Sequence, residues 1–261
     1  DPSGGAGILA DIKAMSALGG YGCAVVAALT AQNTQAVTAI HPVPHEFVVQ
    51  QIDTLFADVQ IDAVKIGMLG QQRVTRAVAE RMAHWKPAHL VLDPVMIAKS
   101  GDHLLEREAV HELRESLLPL ATLITPNLPE AGVLLDTRAP ETLKEMRQAA
   151  EKLRRLLSDD EGHWVFLKGG HLPGNDTIDL IHDGDKMIEL PGQRIHTRNT
   201  HGTGCTLSAA LATLLPQTPD VPTAAQQAKQ YLVTAIAQSD ELSVGSGHGP
   251  VQHFHAWWPK R

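Results

Sequence analysis

Cysteine is scarce in this chain, with two, Cys23 and Cys205, among 261 residues. Two cysteines cannot make a disulfide framework, and a reduced, cytoplasmic setting fits them best. Long apolar runs are also missing. The longest, such as 24–29, fall far short of the roughly 20 residues that span a bilayer, so no membrane partner is expected. Positive charge is not in excess. Lys and Arg number 22 against 29 Asp and Glu, for a formal net charge of −7, which argues against a nucleic-acid partner. Several catalytic signatures are absent. There is no G-x-x-x-x-G-K-[ST] and no Gly-Lys dipeptide at all, so the glycine-rich start, Asp1-Pro2-Ser3-Gly4-Gly5-Ala6-Gly7, is not a P-loop. No G-x-G-x-x-G follows a strand, which leaves a dinucleotide-dependent oxidoreductase without its fingerprint. H-E-x-x-H, C-x-x-C and G-x-S-x-G do not occur. The chain begins at Asp1 and not at Met; no charged n-region or apolar h-region follows, so no signal peptide is expected.

What is present is ordinary globular composition, 43% hydrophobic and 20% charged, arranged as alternating strand-like and helix-like segments. Residues 7–18 carry Ile8, Ile12 and Met15 at helical spacing, and 45–56 place Val48, Ile52, Leu55 and Phe56 on one face. Further amphipathic stretches lie near 74–84, 106–118 and 141–157. Residues 23–29, 63–66, 90–92, 123–125 and 165–167 are short apolar runs that read as strands buried on both faces. Segments 177–182 and 186–190, split by Asp183-Gly184-Asp185, read as a β-hairpin, and 202–215 and 224–239 as two closing helices. The alternation predicts an α/β fold with a mostly parallel central sheet, as a single domain over 1–261.

In open α/β sheets ligands bind beyond the carboxyl ends of the strands. The residues that follow the predicted strands are Gly67-Met68, Asp93-Pro94, Pro126-Asn127 with Glu130, and Lys168-Gly169-Gly170. Carboxylates with a lysine on one edge suit Mg²⁺ and phosphate oxygens. A second candidate is Gly202-Thr203-Gly204-Cys205 at the start of an apolar helix. Glycines there leave backbone N–H groups free to face an anion, and a thiol at that position is expected to have a lowered pKa. Cys23, inside an apolar run, reads as structural. His253 and His255, among Phe254, Trp257 and Trp258, read as packed side chains rather than as a metal site.

Longer blocks carry a resemblance. Asp1–Ile8, Lys65-Ile66-Gly67-Met68-Leu69, Leu92–Met96, Ala98-Lys99-Ser100-Gly101, Thr125–Ala131, Lys168–His171, His201–Ala210 and Gly249–Trp258 resemble the hydroxymethylpyrimidine/phosphomethylpyrimidine kinases of thiamine biosynthesis, over essentially the whole chain. The resemblance implies a ribokinase-like three-layer α/β/α fold. It implies ATP-dependent phosphorylation of 4-amino-5-hydroxymethyl-2-methylpyrimidine to its monophosphate and then to the diphosphate. ATP and Mg²⁺ would be the cofactors, and a homodimer the assembly. Gln32, Asp11, Met68 and Val95 would line the pyrimidine pocket, where the Gln32 amide offers a donor beside an acceptor. Gly202, Thr203, Gly204 and Cys205 would form the catalytic anion hole. Cys205 would be either a base or a shaping group. Lys168, Asn127 and Lys99 would contact ATP, and Glu130 and Asp93 would serve the metal. Loop 97–103 is expected to act as a flap that excludes water. The resemblance also implies a short first strand ahead of Asp1, ending in a glycine near the substrate, so the working protein is expected to be longer than this chain. Two rival readings are a pyridoxal or pyridoxine kinase and a non-catalytic pyrimidine-binding sensor.

Overall fold

The computed structural model describes residues 1–96 and 107–259. The expected flap at 97–103, with Lys99, lies outside the described residues. The elements run α1 (Gly7–Ala17), β1 (Ala28–Gln32), β2 (Val37–Pro42), α2 (His45–Phe56), β3 (Val64–Ile66), α3 (Gln72–Trp85) and β4 (Leu90–Leu92). They continue with α4 (Arg107–Glu112), β5 (Leu123–Ile124), α5 (Leu128–Leu134), α6 (Leu143–Arg154) and β6 (Trp164–Leu167). The last are β7 (Asp176–His182), β8 (Met187–Gln193), α7 (Thr203–Leu214) and α8 (Val221–Ala237).

Six strands form one sheet in the order β3-β4-β5-β6-β7-β8. Pairings from β3 to β6 are parallel, and those of β6 with β7 and β7 with β8 are antiparallel. The period-two alternation of strand side chains divides the apolar residues between two cores. Leu90, Leu92, Ile124, Val165, Leu167 and Leu180 face the layer of α2, α3, α5 and α6. Val91, Leu123, Phe166 and Ile181 face α1, α7 and α8. This explains why the central strands are continuous apolar runs: a sheet covered on both faces has no polar side. Phe166 is fully buried, so truncation to Ala would cost about 3–5 kcal/mol.

Two sequence expectations change. Residues 23–29 do not form a buried strand. Residues 21–26 are irregular, and the strand that begins inside the run is β1, paired antiparallel with β2 in a separate two-stranded sheet. An apolar run supplies side chains for a core but not a neighbour to bond with. Cys23, half-buried, consequently lines a cleft rather than a strand interior. The helix expected near 106–118 is α4, which continues as a π-helical turn, Leu113–Leu117, and a 3-10 turn at Leu118–Leu120; Pro119 removes an amide donor from any longer α-helix. Among the described residues, no helix is long and apolar enough to cross a membrane.

Candidate active site

The parallel ladder runs on beyond the strands and holds their ends in register. Asp93 N–H donates to Ile66 O, Thr125 N–H to Leu92 O, and Lys168 N–H to Pro126 O, at 2.9 to 3.0 Å. Asp93, Glu130 and Lys168 thereby meet at one edge. Lys168 Nζ lies 3.0 Å from Asp93 Oδ1 and 3.8 Å from Glu130 Oε2. Thr125 Oγ1 also donates to Asp93 Oδ1 at 3.0 Å. Asp93 is nearly inaccessible, yet Lys168, Lys65 and Thr125 outweigh burial and hold its carboxyl below the usual range. Glu130 moves the other way. Burial raises its pKa to about 7, with the Asp93 charge adding to the rise and Lys168 opposing it.

Asn127 and Glu130 have a local structural use as well. The Asn127 side chain accepts from Glu130 N–H at 2.8 Å, and Glu130 Oε2 accepts from Asn127 N–H at 2.7 Å. This is a capping box on α5. The N-x-x-E spacing therefore orients the Glu130 carboxylate and starts a helix at once. Among the described residues, no group of three His, Cys, Asp or Glu side chains could hold a metal alone. Mg²⁺ that arrives with phosphates needs only one or two carboxylates and keeps its waters. The Asp93–Glu130 pair fits that requirement.

Opposite this cluster stands the N-terminus of α7. Gly202 has φ +74°, and a Cβ there would lie 1.7 Å from Gly5 O, so only glycine fits. The first amides of α7 have no acceptor within the helix. A Cβ on Gly204 would lie 3.4 Å from Asp93 Oδ2 and 3.5 Å from Lys168 Nζ, so the amide loop abuts the strand-end charges. Cys205 Sγ accepts from Gly7 N–H at 3.4 Å. Its pKa is opposite to expectation: burial pushes the thiol up, Asp11 and Asp93 add to the rise, and Lys65 only partly opposes it.

The cleft has a volume of about 1590 Å³ and takes in Gln32, Asp11, Met68, Val95, Asn127, Glu130, Asp93, Lys168 and 202–205. Every candidate site residue among the described residues lines it. Gln32 ends β1, and its Oε1 accepts from Thr30 Oγ1 at 3.1 Å. The hairpin tip is pinned from behind: Thr34 O accepts from His248 N–H, and Thr34 Oγ1 from Gly247 N–H.

Sequence reasoning assigned no role to Lys65. Its Nζ donates to both Asp11 oxygens, at 3.0 and 2.8 Å, and it is 3% exposed. Burial raises the Asp11 pKa against the pull of Lys65. The signal was a lysine inside an apolar strand, Val64-Lys65-Ile66, since a lysine is almost never fully buried unless paired. His253 is buried and hydrogen-bonded to Thr206 Oγ1 at 3.0 Å, and His255 packs on Tyr231, consistent with their reading as packed residues.

Residues 1–252 match the family model described as phosphomethylpyrimidine kinase. The chain is 51% identical over 260 residues to the hydroxymethylpyrimidine/phosphomethylpyrimidine kinase of Escherichia coli (strain K12), covering 99% of this chain and 96% of that protein. Among solved structures, it resembles the phosphomethylpyrimidine kinase of Clostridium difficile 630 with a TM-score of 0.79 and 36% identity, covering 90% of this chain and 95% of that one. The pyridoxal kinase of Staphylococcus aureus, solved with AMP-PCP and pyridoxal, aligns with a TM-score of 0.87 at 28% identity, covering 98% of this chain and 91% of that one. The fold is the ribokinase-like α/β/α arrangement of these kinases.

Proposed function

Because the chain belongs to the phosphomethylpyrimidine kinase family, we propose that its cleft phosphorylates 4-amino-5-hydroxymethyl-2-methylpyrimidine with ATP and then phosphorylates the monophosphate to the diphosphate, for thiamine diphosphate synthesis. Residues 1–261 act as one kinase unit in this reading, in the cytoplasm. The observation that carries it is the meeting of the α7 amides with the Asp93–Lys168 pair at Gly204.

The transition state of phosphoryl transfer is loose, so positioning and charge neutralisation supply most of the acceleration. Lys168 lies along the ATP phosphates, and the 202–205 amides receive the equatorial oxygens of the transferring group. Asp93 and Glu130 would hold Mg²⁺, which would supply charge neutralisation on the phosphates; Asn127 fixes Glu130 through the capping box. Gln32 reads the amino and ring-nitrogen edge of the pyrimidine, with Asp11, Met68 and Val95 around the ring. The substrate hydroxyl oxygen bonds to the γ-phosphorus, the bond to the β,γ-bridging oxygen breaks, and ADP leaves. The hydroxyl proton departs late, to a phosphoryl oxygen and from there to water. The second step uses a phosphate oxygen that is already anionic. A Cys205 thiol raised by burial is a poor base, which supports a shaping role for it through its contact with Gly7 N–H. The exposed apolar residues Leu29, Ile40 and Phe47 of the β1–β2 hairpin and α2 support a homodimer in which this region takes part.

The test is a coupled assay for ADP release. A pyrimidine-dependent rate well above the substrate-free rate supports the kinase reading; no increase favours a sensor. The likeness to pyridoxal kinases favours pyridoxal as the second substrate to try, with lower turnover than the aminopyrimidine expected.

A further inference from the structure

Two glycine-rich loops, far apart in sequence, meet behind the anion hole. One is 1–7, which leads into α1, and the other is 199–205, which leads into α7. They pack closely: a Cβ on Gly202 would strike Gly5 O, and one on Gly5 would lie 2.3 Å from the His201 ring atom Cδ2. A single side-chain pair joins them. His201 Nε2 and Asp1 Oδ2 are 2.7 Å apart, with side chains 8% and 2% exposed. Asp1 also organises its own loop, since its Oδ1 accepts from Ser3 N–H and its Oδ2 from Ala6 N–H. His201 is anchored on the other side, where its N–H donates to Gly249 O at 3.0 Å. Ala6 and Gly7 line the cleft, and Gly7 N–H reaches Cys205 Sγ. The N-termini of two helices are thus set in contact beside the cleft.

We propose that Asp1 and His201 are positioning residues that fix the acceptor-side loop 1–7 against the phosphoryl-binding amides of 202–205. This rests on the kinase reading above. The pair is buried and acts through the loops. Without it both substrates still bind, but the acceptor oxygen and the anion hole lose their relative placement. Misplacement of about 1 Å costs on the order of 100-fold in rate. Coupling through one contact also makes the two residues non-additive.

The test uses His201→Ala, His201→Gln, Asp1→Asn and the His201→Ala/Asp1→Asn double variant in the full chain. Two readouts are followed: kinetics with ATP and the pyrimidine, and alkylation of Cys205 by iodoacetamide, resolved by peptide mass spectrometry with Cys23 as internal reference. His201→Ala is expected to lower kcat about 10- to 100-fold with both KM values within about threefold. Its Cys205 alkylation should rise relative to Cys23. His201→Gln, which keeps a donor, recovers part of kcat, and the double variant is no worse than the single. Should His201→Ala fold poorly, Asp1→Asn decides the point, because it keeps the shape of the side chain and removes only charge and one acceptor. Unchanged kcat in a folded variant, additive losses, or an unchanged alkylation ratio overturns the proposal. Inactive wild type would overturn the kinase reading instead, and the alkylation ratio would still judge the latch.

Discussion

Lys168 donates to Asp93 Oδ1 across 3.0 Å, which ties the end of β6 to the end of β4 over the intervening β5. The lysine is 17% exposed at its side chain and the aspartate 2%. A cation shared by two buried carboxylates offsets part of the repulsion between Asp93 and Glu130. It also leaves a positive group facing the place where the 202–205 amides converge.

Lys168→Met tests that double role. Phosphoryl transfer should slow by about 100- to 1000-fold through loss of charge stabilisation. Stability should fall by about 3–5 kcal/mol, because one buried partner is removed and the others remain. Urea unfolding and kcat measure the two effects separately.

Cys205→Ala distinguishes a base from a shaping group. With the thiol raised by burial, the loss should be equal in the first and second phosphorylations. A loss confined to the first step would mean that Cys205 takes the hydroxyl proton, since only that step releases one.

Gln32→Ala should raise KM for the pyrimidine about tenfold, from one donor and one acceptor lost at about 0.5–1.5 kcal/mol each. KM for ATP should stay within about twofold, because this account places Gln32 on the pyrimidine and not on ATP. Steady-state kinetics with each substrate varied in turn checks both.

His253 makes a pH prediction for stability. Burial lowers its pKa to about 4, with Lys13 and His255 adding to the effect. A histidine with a depressed folded pKa contributes stability above its unfolded value of about 6.5 and loses it as pH falls towards 4. Denaturant unfolding from pH 7.5 to 4 should therefore show a steeper loss in wild type than in His253→Gln, by on the order of 3 kcal/mol.

The parts of this molecule that a sequence expresses are those governed by near neighbours. Leu90-Val91-Leu92 reads as a strand covered on both faces, and its residues divide between the two cores. Asp93 and Lys168 were legible because each directly follows a recognisable strand, and Glu130 because it lies three residues past Asn127, close behind the strand between them. Residues 23–29 misled because apolar character does not choose a pairing partner, and the hairpin of β1 with β2 depends on a register set across a turn. Lys65 with Asp11, 54 residues apart, and His201 with Asp1, 200 apart, could not be paired from spacing. Asn127 was read for ATP and Glu130 for the metal, although the two also cap α5.

The most direct test is a crystal structure of the protein with the pyrimidine and a non-hydrolysable ATP analogue. The account predicts the aminopyrimidine edge on the Gln32 amide, the hydroxymethyl oxygen beside Cys205, and the γ-phosphoryl group on the 202–205 amides within reach of Lys168. A pyrimidine bound elsewhere, or one whose hydroxymethyl points away from those amides, would contradict it.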